Sequence, residues 1–114
     1  MPALYTRSDV CVMTSVSEGF GLGLAESLAC ETPVVATRTE GMSEVFADGE
    51  GGVYVERDAG DIAQCLLTLL GDDALRLRMG RSGRQHVMSH FPLQAQADRY
   101  LALFSALCTV RIAA

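Results

Sequence analysis

Apolar residues along this chain alternate between short runs and longer helical segments, and this alternation predicts an α/β fold. Short runs at residues 9–16, 33–37 and 52–55 are rich in β-branched residues, which is typical of buried parallel strands. The segment between the first two runs, residues 22–30, contains no β-branched residue and is predicted to be a helix. We therefore expect three short parallel strands with flanking helices.

The second half of the chain is predicted to be helical. One helix is expected over about residues 58–70, where Asp58 or Asp61 can cap its N-terminus, and a second over about residues 72–90. The last helix is expected over about residues 92–108. Its apolar residues are spaced four, three, four and three positions apart and form one apolar seam: Leu93, Ala97, Tyr100, Phe104 and Leu107.

Charge is distributed unevenly along the 114 residues. Residues 1–61 contain eleven acids and three arginines, a net charge of −8, whereas residues 62–114 have a net charge of +3. All nine basic residues are arginines. The acidic half also contains the predicted strands. An acidic surface repels the phosphates of a nucleic acid. We therefore expect no nucleic acid as a partner.

The most informative segment is the glycine-rich turn between the first strand and the helix that follows it. The turn and the start of the helix contain Glu18 and Glu26, eight positions apart, together with Gly19, Gly21 and Gly23. The turn follows the carboxyl end of a strand, where open α/β sheets hold their ligands. Glycines let a ligand approach the backbone, and the first N–H groups of a helix can meet an anion or a hydroxyl oxygen. The turn therefore predicts a site for a phosphorylated, hydroxyl-rich ligand, with both glutamates accepting hydroxyl groups.

This segment resembles the Glu-x7-Glu signature of group 1 retaining glycosyltransferases, which use nucleotide sugars and have the two-domain GT-B fold. The resemblance extends, in order and spacing, from about residue 4 to about residue 104. Two positions depart from the family pattern: Gly23, where proline is usual, and Glu31, where glycine is usual. Glu31 lies just past a helix end, where the backbone is often left-handed. The resemblance rests on Tyr5, on residues 8–10, 18–22, 26–30, 32–36, 41–45, 48–50 and 52–55, and on Phe91 and Tyr100.

The resemblance implies that the chain is a single partial Rossmann-like domain, the C-terminal portion of a GT-B donor-binding domain. Residues 1–57 would form the part that binds the ligand, and residues 58–114 would form the helical part. Because 114 residues make one small domain, we expect a fragment that lacks the acceptor domain and the early donor-domain strands, which in the family carry an Arg and Lys pair for the diphosphate. The intact enzyme would transfer a sugar from a nucleotide-sugar donor to an acceptor with retention of anomeric configuration. The isolated chain would be inactive.

The resemblance also implies roles for individual residues. Glu18 would be the catalytic residue and would bind sugar hydroxyls near the anomeric centre, while Glu26 would hold the ribose. The Phe20 ring is expected to fill the core, which leaves its backbone N–H as the functional group. No cofactor and no metal are expected, and the acceptor is not implied. The substrate-binding set would be Glu18, Gly19, Phe20, Gly21, Leu22 and Glu26.

Two other classes of function remain open on these residues. The dinucleotide-binding fingerprint of an oxidoreductase has the same order of elements: a strand, a glycine-rich turn, a helix, a second strand and an acid. Its third glycine would fall on Leu24 or on Glu26, so neither frame completes the pattern. The other alternative is a non-catalytic module that binds a sugar nucleotide or serves only as an interaction domain.

Further features of the sequence bear on location and partners. The chain has neither a run of about 20 apolar residues nor an N-terminal signal peptide, and its four cysteines are widely spaced, so we expect a reducing, cytoplasmic location. Four arginines leave peripheral contact with anionic lipid open, although a solvated helix face is the more common explanation: Arg76, Arg78, Arg81 and Arg84. The apolar seam and an unpaired sheet edge predict self-association.

Overall fold

Three parallel strands form one sheet in the order β1, β2, β3 in the computed structural model, which describes residues 2–40 and 42–113, with side chains for 2–40 and 43–109. In chain order the elements are α1 (Pro2–Thr6), β1 (Cys11–Met13), α2 (Leu22–Ala29), β2 (Val34–Thr37), a 3-10 turn (Met42–Glu44), β3 (Gly52–Val55), α3 (Ala59–Leu70), α4 (Asp73–His90) and α5 (Leu93–Ala113). The α/β class and the parallel arrangement predicted from the sequence are confirmed.

The differences from the predicted elements lie at their ends. The first strand has three residues rather than the eight of residues 9–16, because its partner β2 is itself only four residues long. The last helix continues to Ala113 instead of ending near residue 108. Asp58 is the cap of α3, since its carboxylate accepts a hydrogen bond from the backbone N–H of Asp61 at 3.0 Å.

The core lies on both faces of the central strand β2, and all four residues of this strand are buried. On one face, Leu24 and Leu28 of α2 are fully buried together with Phe46. On the other face, Val35 packs with Leu69 of α3. Because alternate residues of a strand point to opposite faces, α2 and α3 cover the sheet from both sides and hold its strand ends in place.

The turn after α2 contains a left-handed residue at Glu31, whose φ is 61°. The N–H of Glu31 donates to the carbonyl oxygen of Leu28, and the N–H of Thr32 donates to that of Ser27, both at 3.0 Å. These are the two bonds of a Schellman motif. The Ser27 hydroxyl adds a 3.0 Å bond to the carbonyl oxygen of Thr32. The turn therefore stays tight without glycine, and the backbone strain falls on Glu31.

Two of the four arginines in α4 bind the ends of other helices. Arg76 donates to the carbonyl oxygens of Leu69 and Leu70, at the end of α3, at 2.7 and 2.9 Å. Arg84 donates to the carbonyl oxygen of Ala29, at the end of α2. Cations are stabilising at helix C-termini. These two arginines therefore have structural partners, which reduces the basic surface that could meet a lipid phosphate.

Helix α5 extends away from the rest of the chain. All described side chains from residue 98 to residue 109 are exposed, and the molecule measures 62 × 26 × 22 Å. The predicted apolar seam lies on this surface, with Leu93 80% and Phe104 57% exposed. Among the described residues, no helix is both long and apolar enough to cross a membrane.

Candidate functional site

A cavity of about 670 Å³ opens at the carboxyl ends of β1 and β2. Its walls are the loop after β1 and the loop after β2. This is the edge of the sheet at which parallel α/β folds bind ligands, and it is the edge predicted from the glycine-rich turn. The polar residues that line it are Ser17, Glu18, Arg38, Thr39, Glu40 and Ser43.

Two hydrogen bonds position Glu18 at this strand-end cavity. The buried hydroxyl of Thr37, the last residue of β2, donates to the carbonyl oxygen of Ser15 at 2.7 Å and joins the two loops at their bases. The Ser15 hydroxyl donates to Oε1 of Glu18 at 2.9 Å. A carboxylate offers about four acceptor positions. Glu18 therefore retains acceptor capacity for hydroxyl groups of a ligand while its orientation is held by the protein.

Arg38 also lines the cavity, and sequence reasoning missed it. Its guanidinium carbon lies 4.7 Å from the centroid of the Tyr54 ring, within the range of a cation–π contact. Twenty positions separate Arg38 from Glu18 in sequence, which hides their proximity. The signal that could have identified it is its place directly after β2, since the carboxyl ends of parallel strands meet at one edge of the sheet.

The support beneath Arg38 is itself well ordered by packing. The Tyr54 ring stacks on the Phe46 ring with 4.3 Å between centroids, and the Tyr54 hydroxyl donates to the carbonyl oxygen of Phe46 at 2.9 Å. Burial raises the pKa of the Tyr54 hydroxyl, and the charge of Arg38 offsets part of this rise. The ring is therefore neutral near pH 7 and presents its π face to the guanidinium.

The charges of the strand-end cavity favour a ligand of mixed character. Glu18 and Glu40 bring two carboxylates, and Arg38 brings one guanidinium. Hydroxyl groups of Ser17 and Ser43 lie in the same lining. Carboxylates accept hydrogen bonds from ligand hydroxyls, whereas a guanidinium binds phosphate or carboxylate oxygens. The lining therefore suits a hydroxyl-rich group that has an anion beside it.

The three glycines of the turn have different surroundings. Gly21 has a φ of 86°, is buried and directly precedes α2, a conformation that other residues adopt only with strain. Gly19 is exposed, and a Cβ added to it would meet nothing within 4 Å. A Cβ on Gly23 would instead meet Cε of Met13 at 3.1 Å and the hydroxyl of Tyr5 at 3.5 Å. Gly23 therefore makes room for protein side chains rather than for a ligand.

The Phe20 ring is a structural element of the turn. It is half-buried, packs on the core and contacts the Phe91 ring edge-on at 5.2 Å between centroids. The first intrahelical bonds of α2 are donated by Leu24 and Ala25 to the carbonyl oxygen of Gly21. The backbone N–H groups from residue 19 to residue 22 precede these bonds, and their role in binding a substrate stays a prediction.

Glu26 lies at a different cavity from Glu18. It is exposed on α2 and, with Leu22, Gln96 and Arg99 among others, lines a groove of about 590 Å³ between α2 and the junction of α4 with α5. Burial raises the pKa of the neighbouring Tyr5 hydroxyl, and the charge of Glu26 and its hydrogen bond with Tyr5 raise it further. The two glutamates therefore line two cavities, and the ribose-binding role of Glu26 stays a prediction.

Metal ligands and reactive thiols do not mark a further site in the described part of the chain. No group of three or more His, Cys, Asp or Glu side chains among the described residues is placed to hold a metal ion. The cysteines are free, and burial raises the pKa of the Cys11 and Cys65 thiols. Both thiols are therefore protonated near pH 7 and are poor nucleophiles.

Comparisons of sequence agree with this geometry. Residues 1–86 match the family model for glycosyl transferases group 1. The chain is 38% identical over 108 residues to a D-inositol 3-phosphate glycosyltransferase of Corynebacterium efficiens, covering 94% of the chain and 25% of that protein. It is 37% identical over 99 residues to a lipopolysaccharide core biosynthesis glycosyltransferase of Rhizobium meliloti, covering 86% of the chain and 29% of that protein. The chain thus spans about a quarter of the length of these curated relatives.

Solved structures share the fold. A sucrose-phosphate synthase from Thermosynechococcus elongatus superposes with a TM-score of 0.90 and 32% identity, covering 94% of the chain and 27% of that protein. HepE of Anabaena, solved in complex with UDP, superposes with a TM-score of 0.87 and 21% identity, covering 93% of the chain and 30% of that protein. At that identity the second similarity concerns the fold alone.

Proposed function

Because the chain belongs to the glycosyl transferases group 1 family, we propose that it forms the C-terminal part of a domain that binds a nucleotide-sugar donor. The whole protein transfers the sugar to an acceptor with retention of anomeric configuration. The family membership favours this function over the dinucleotide-binding oxidoreductase that the turn alone left open. The isolated chain transfers no sugar, since it spans a quarter of the length of its curated relatives.

The placement of Glu18 is the observation that carries the proposal. Its carboxylate is oriented by Ser15 and lines a cavity at the carboxyl ends of two parallel strands, among hydroxyl groups and one arginine. In this proposal Glu18 accepts hydrogen bonds from sugar hydroxyls near the anomeric centre. A fixed acceptor at this point orients the sugar ring, and orientation of the reacting group is a large part of catalysis.

The contacts to the remaining parts of the donor are proposed to come from the start and the middle of α2. The N–H groups between Gly19 and Leu22 bind sugar or phosphate oxygens at the start of the helix. Glu26, one helical turn further along, holds the ribose hydroxyls. In the resembled family, retention without a covalent nucleophile is assigned to attack on the same face, with the leaving diphosphate helping to accept the proton of the acceptor. No metal ion takes part in this proposal.

Location and partners follow from the same assignment. A nucleotide-sugar donor is expected in the cytoplasm, where free thiols such as Cys30 and Cys65 remain reduced. Peripheral contact with anionic lipid would rest on Arg78 and Arg81, two arginines exposed on the surface of α4. The acceptor is not assigned by these residues.

The proposal is tested by kinetics of a full-length group 1 enzyme that carries this segment. Glu18→Gln should lower kcat, because it weakens contacts near the reacting centre, whereas Glu26→Gln should chiefly raise the donor KM, because a ribose contact is made in both ground and transition states. Glu56→Gln, an exposed acid outside the strand-end cavity, is the matched control. NMR of the product assigns its anomeric configuration. Normal kinetics in both variants, or an inverted product, would contradict the proposal.

A further inference from the structure

The strand-end cavity has one cationic side chain, Arg38, among the described residues of its lining. Arg38 is the first residue after β2 and lines the same cavity as Glu18, which lies in the loop after β1. The 2.7 Å bond from Thr37 to Ser15 ties these loops together immediately below both residues. The separation of the two loops at their bases is therefore set by the sheet.

The guanidinium of Arg38 is held by a ring and not by an acid. Its guanidinium carbon lies over the Tyr54 ring, 4.7 Å from the ring centroid, and a guanidinium can stack on an aromatic face. The ion pairs among the described residues involve Arg76 and His86, and none includes Arg38. Stacking leaves the in-plane N–H donors of a guanidinium available, and these donors match the oxygens of a phosphate.

The charges around Arg38 show why such a donor is needed. Glu18 and Glu40 would each repel an anion that enters the cavity. A cation in the lining would offset this repulsion for a phosphate that lies beside the sugar-binding carboxylate. Arg38 is the side chain in the lining that carries a positive charge.

We infer that Arg38 binds the phosphate of the donor next to the transferred sugar, and that Tyr54 positions its guanidinium for this contact. The inference rests on the proposed function, because it takes the ligand to be a nucleoside diphosphate sugar. It adds a phosphate-binding residue from the loop after β2. Arg38 contacts the substrate directly, whereas Tyr54 acts through Arg38.

NMR titration of the ¹⁵N-labelled chain with millimolar pyrophosphate, UDP and uridine tests the inference. The Arg38 Nε–H resonance should shift with pyrophosphate and UDP but not with uridine, which lacks phosphate. Arg38→Gln should weaken UDP binding about 10- to 100-fold, the loss expected for one charge-assisted hydrogen bond, and Arg38→Lys should restore part of it. Arg57→Gln, an exposed arginine outside the strand-end cavity, should bind UDP as the parent chain does.

A second pair of variants tests the positioning role of Tyr54. Tyr54→Phe keeps the ring under Arg38 and should retain UDP binding, whereas Tyr54→Leu removes the ring and should weaken it. Thermal unfolding of each variant identifies loss of fold separately from loss of the phosphate contact. The positioning role would be overturned if both variants were folded and Tyr54→Leu bound UDP as tightly as Tyr54→Phe.

The outcomes separate this inference from the proposed function. If no phosphate probe shifts the Arg38 resonance, or if Arg38→Gln binds UDP unchanged, the inference is overturned. If Glu18→Gln still weakens binding of a UDP-sugar in that case, the donor-site proposal stands without Arg38. If pyrophosphate shifts the Arg38 resonance while Glu18→Gln has no effect on UDP-sugar binding, the phosphate contact stands and the role of Glu18 fails.

Discussion

Gly80 of α4 lies directly against the carbonyl oxygen of Glu31 in the turn after α2, and any side chain at Gly80 would overlap that oxygen. Three positions later, a Cβ on Gly83 would lie 2.6 Å from Cδ2 of Leu28 and 3.0 Å from Cα of Gly51. The two glycines let α4 approach α2 closely. This contact holds the C-terminal end of α2, the helix whose N-terminal end follows the glycine-rich turn.

Gly80→Ala should therefore destabilise the chain although alanine is the better helix former. The overlap with backbone atoms forces the helices apart at a cost of about 1–3 kcal/mol, which exceeds the gain in helix propensity of about 1 kcal/mol over most of that range. Thermal unfolding should show a lower Tm than in Ser82→Ala, a neighbouring control in the same helix. A Tm at or above that of the parent chain would show that α4 does not pack this closely.

Glu31→Gly should stabilise the chain. Glu31 has a φ of 61°, and relief of this left-handed strain should contribute about 1 kcal/mol. Glu31→Ala keeps the strain and serves as the control, so only the glycine variant should raise the midpoint of urea unfolding. Equal midpoints for the two variants would show that the turn is not strained at this residue.

Glu26→Gln should lower the pKa of Tyr5. Burial is the larger cause of the raised Tyr5 pKa, and the charge and hydrogen bond of Glu26 add to it. Removal of the charge should bring the pKa part of the way back towards the ordinary range of a tyrosine. The difference between ultraviolet pH titrations with and without Tyr5→Phe isolates this hydroxyl. An unchanged pKa would mean that Glu26 does not contact Tyr5 in solution.

The chain should self-associate through α5. Phe104 and Leu107 are more than half exposed on an apolar seam, and soluble monomers seldom expose a contiguous apolar surface of this kind. Phe104→Glu should shift the chain towards monomer in size exclusion with light scattering. Ala102→Glu adds the same charge about 200° away around the helix and should not. A monomeric parent chain at high micromolar concentration would refute the prediction.

Much of the fold was accessible from the sequence because its signals are local. The observed bounds of strand β3 agree with the predicted ones, because the preceding glycines mark its start and the run of apolar residues ends at Val55. Asp58 precedes α3 as its N-cap, as expected for an aspartate before an apolar helical stripe. The first strand was predicted too long because its extent depends on pairing with β2, which is a tertiary property.

The candidate site was only partly accessible for the same reason. Glu18 was found because it belongs to a local pattern of strand, glycine and helix. Arg38 was missed because its relation to Glu18 depends on the alignment of two strands, and its support by Tyr54 depends on a third. The separation of Glu26 from the strand-end cavity likewise depends on how α4 and α5 pack beside α2.

The most direct test of the donor site is a chemical-shift map of the chain titrated with UDP-sugars and GDP-sugars. The site described here predicts weak binding with shifts concentrated at the strand-end cavity, at Ser17, Glu18, Arg38 and Thr39, and loss of those shifts in Glu18→Gln but not in Glu56→Gln. Shifts confined to the surface of α3, or an unchanged map in Glu18→Gln, would contradict the assignment of this cavity as the site of the transferred sugar.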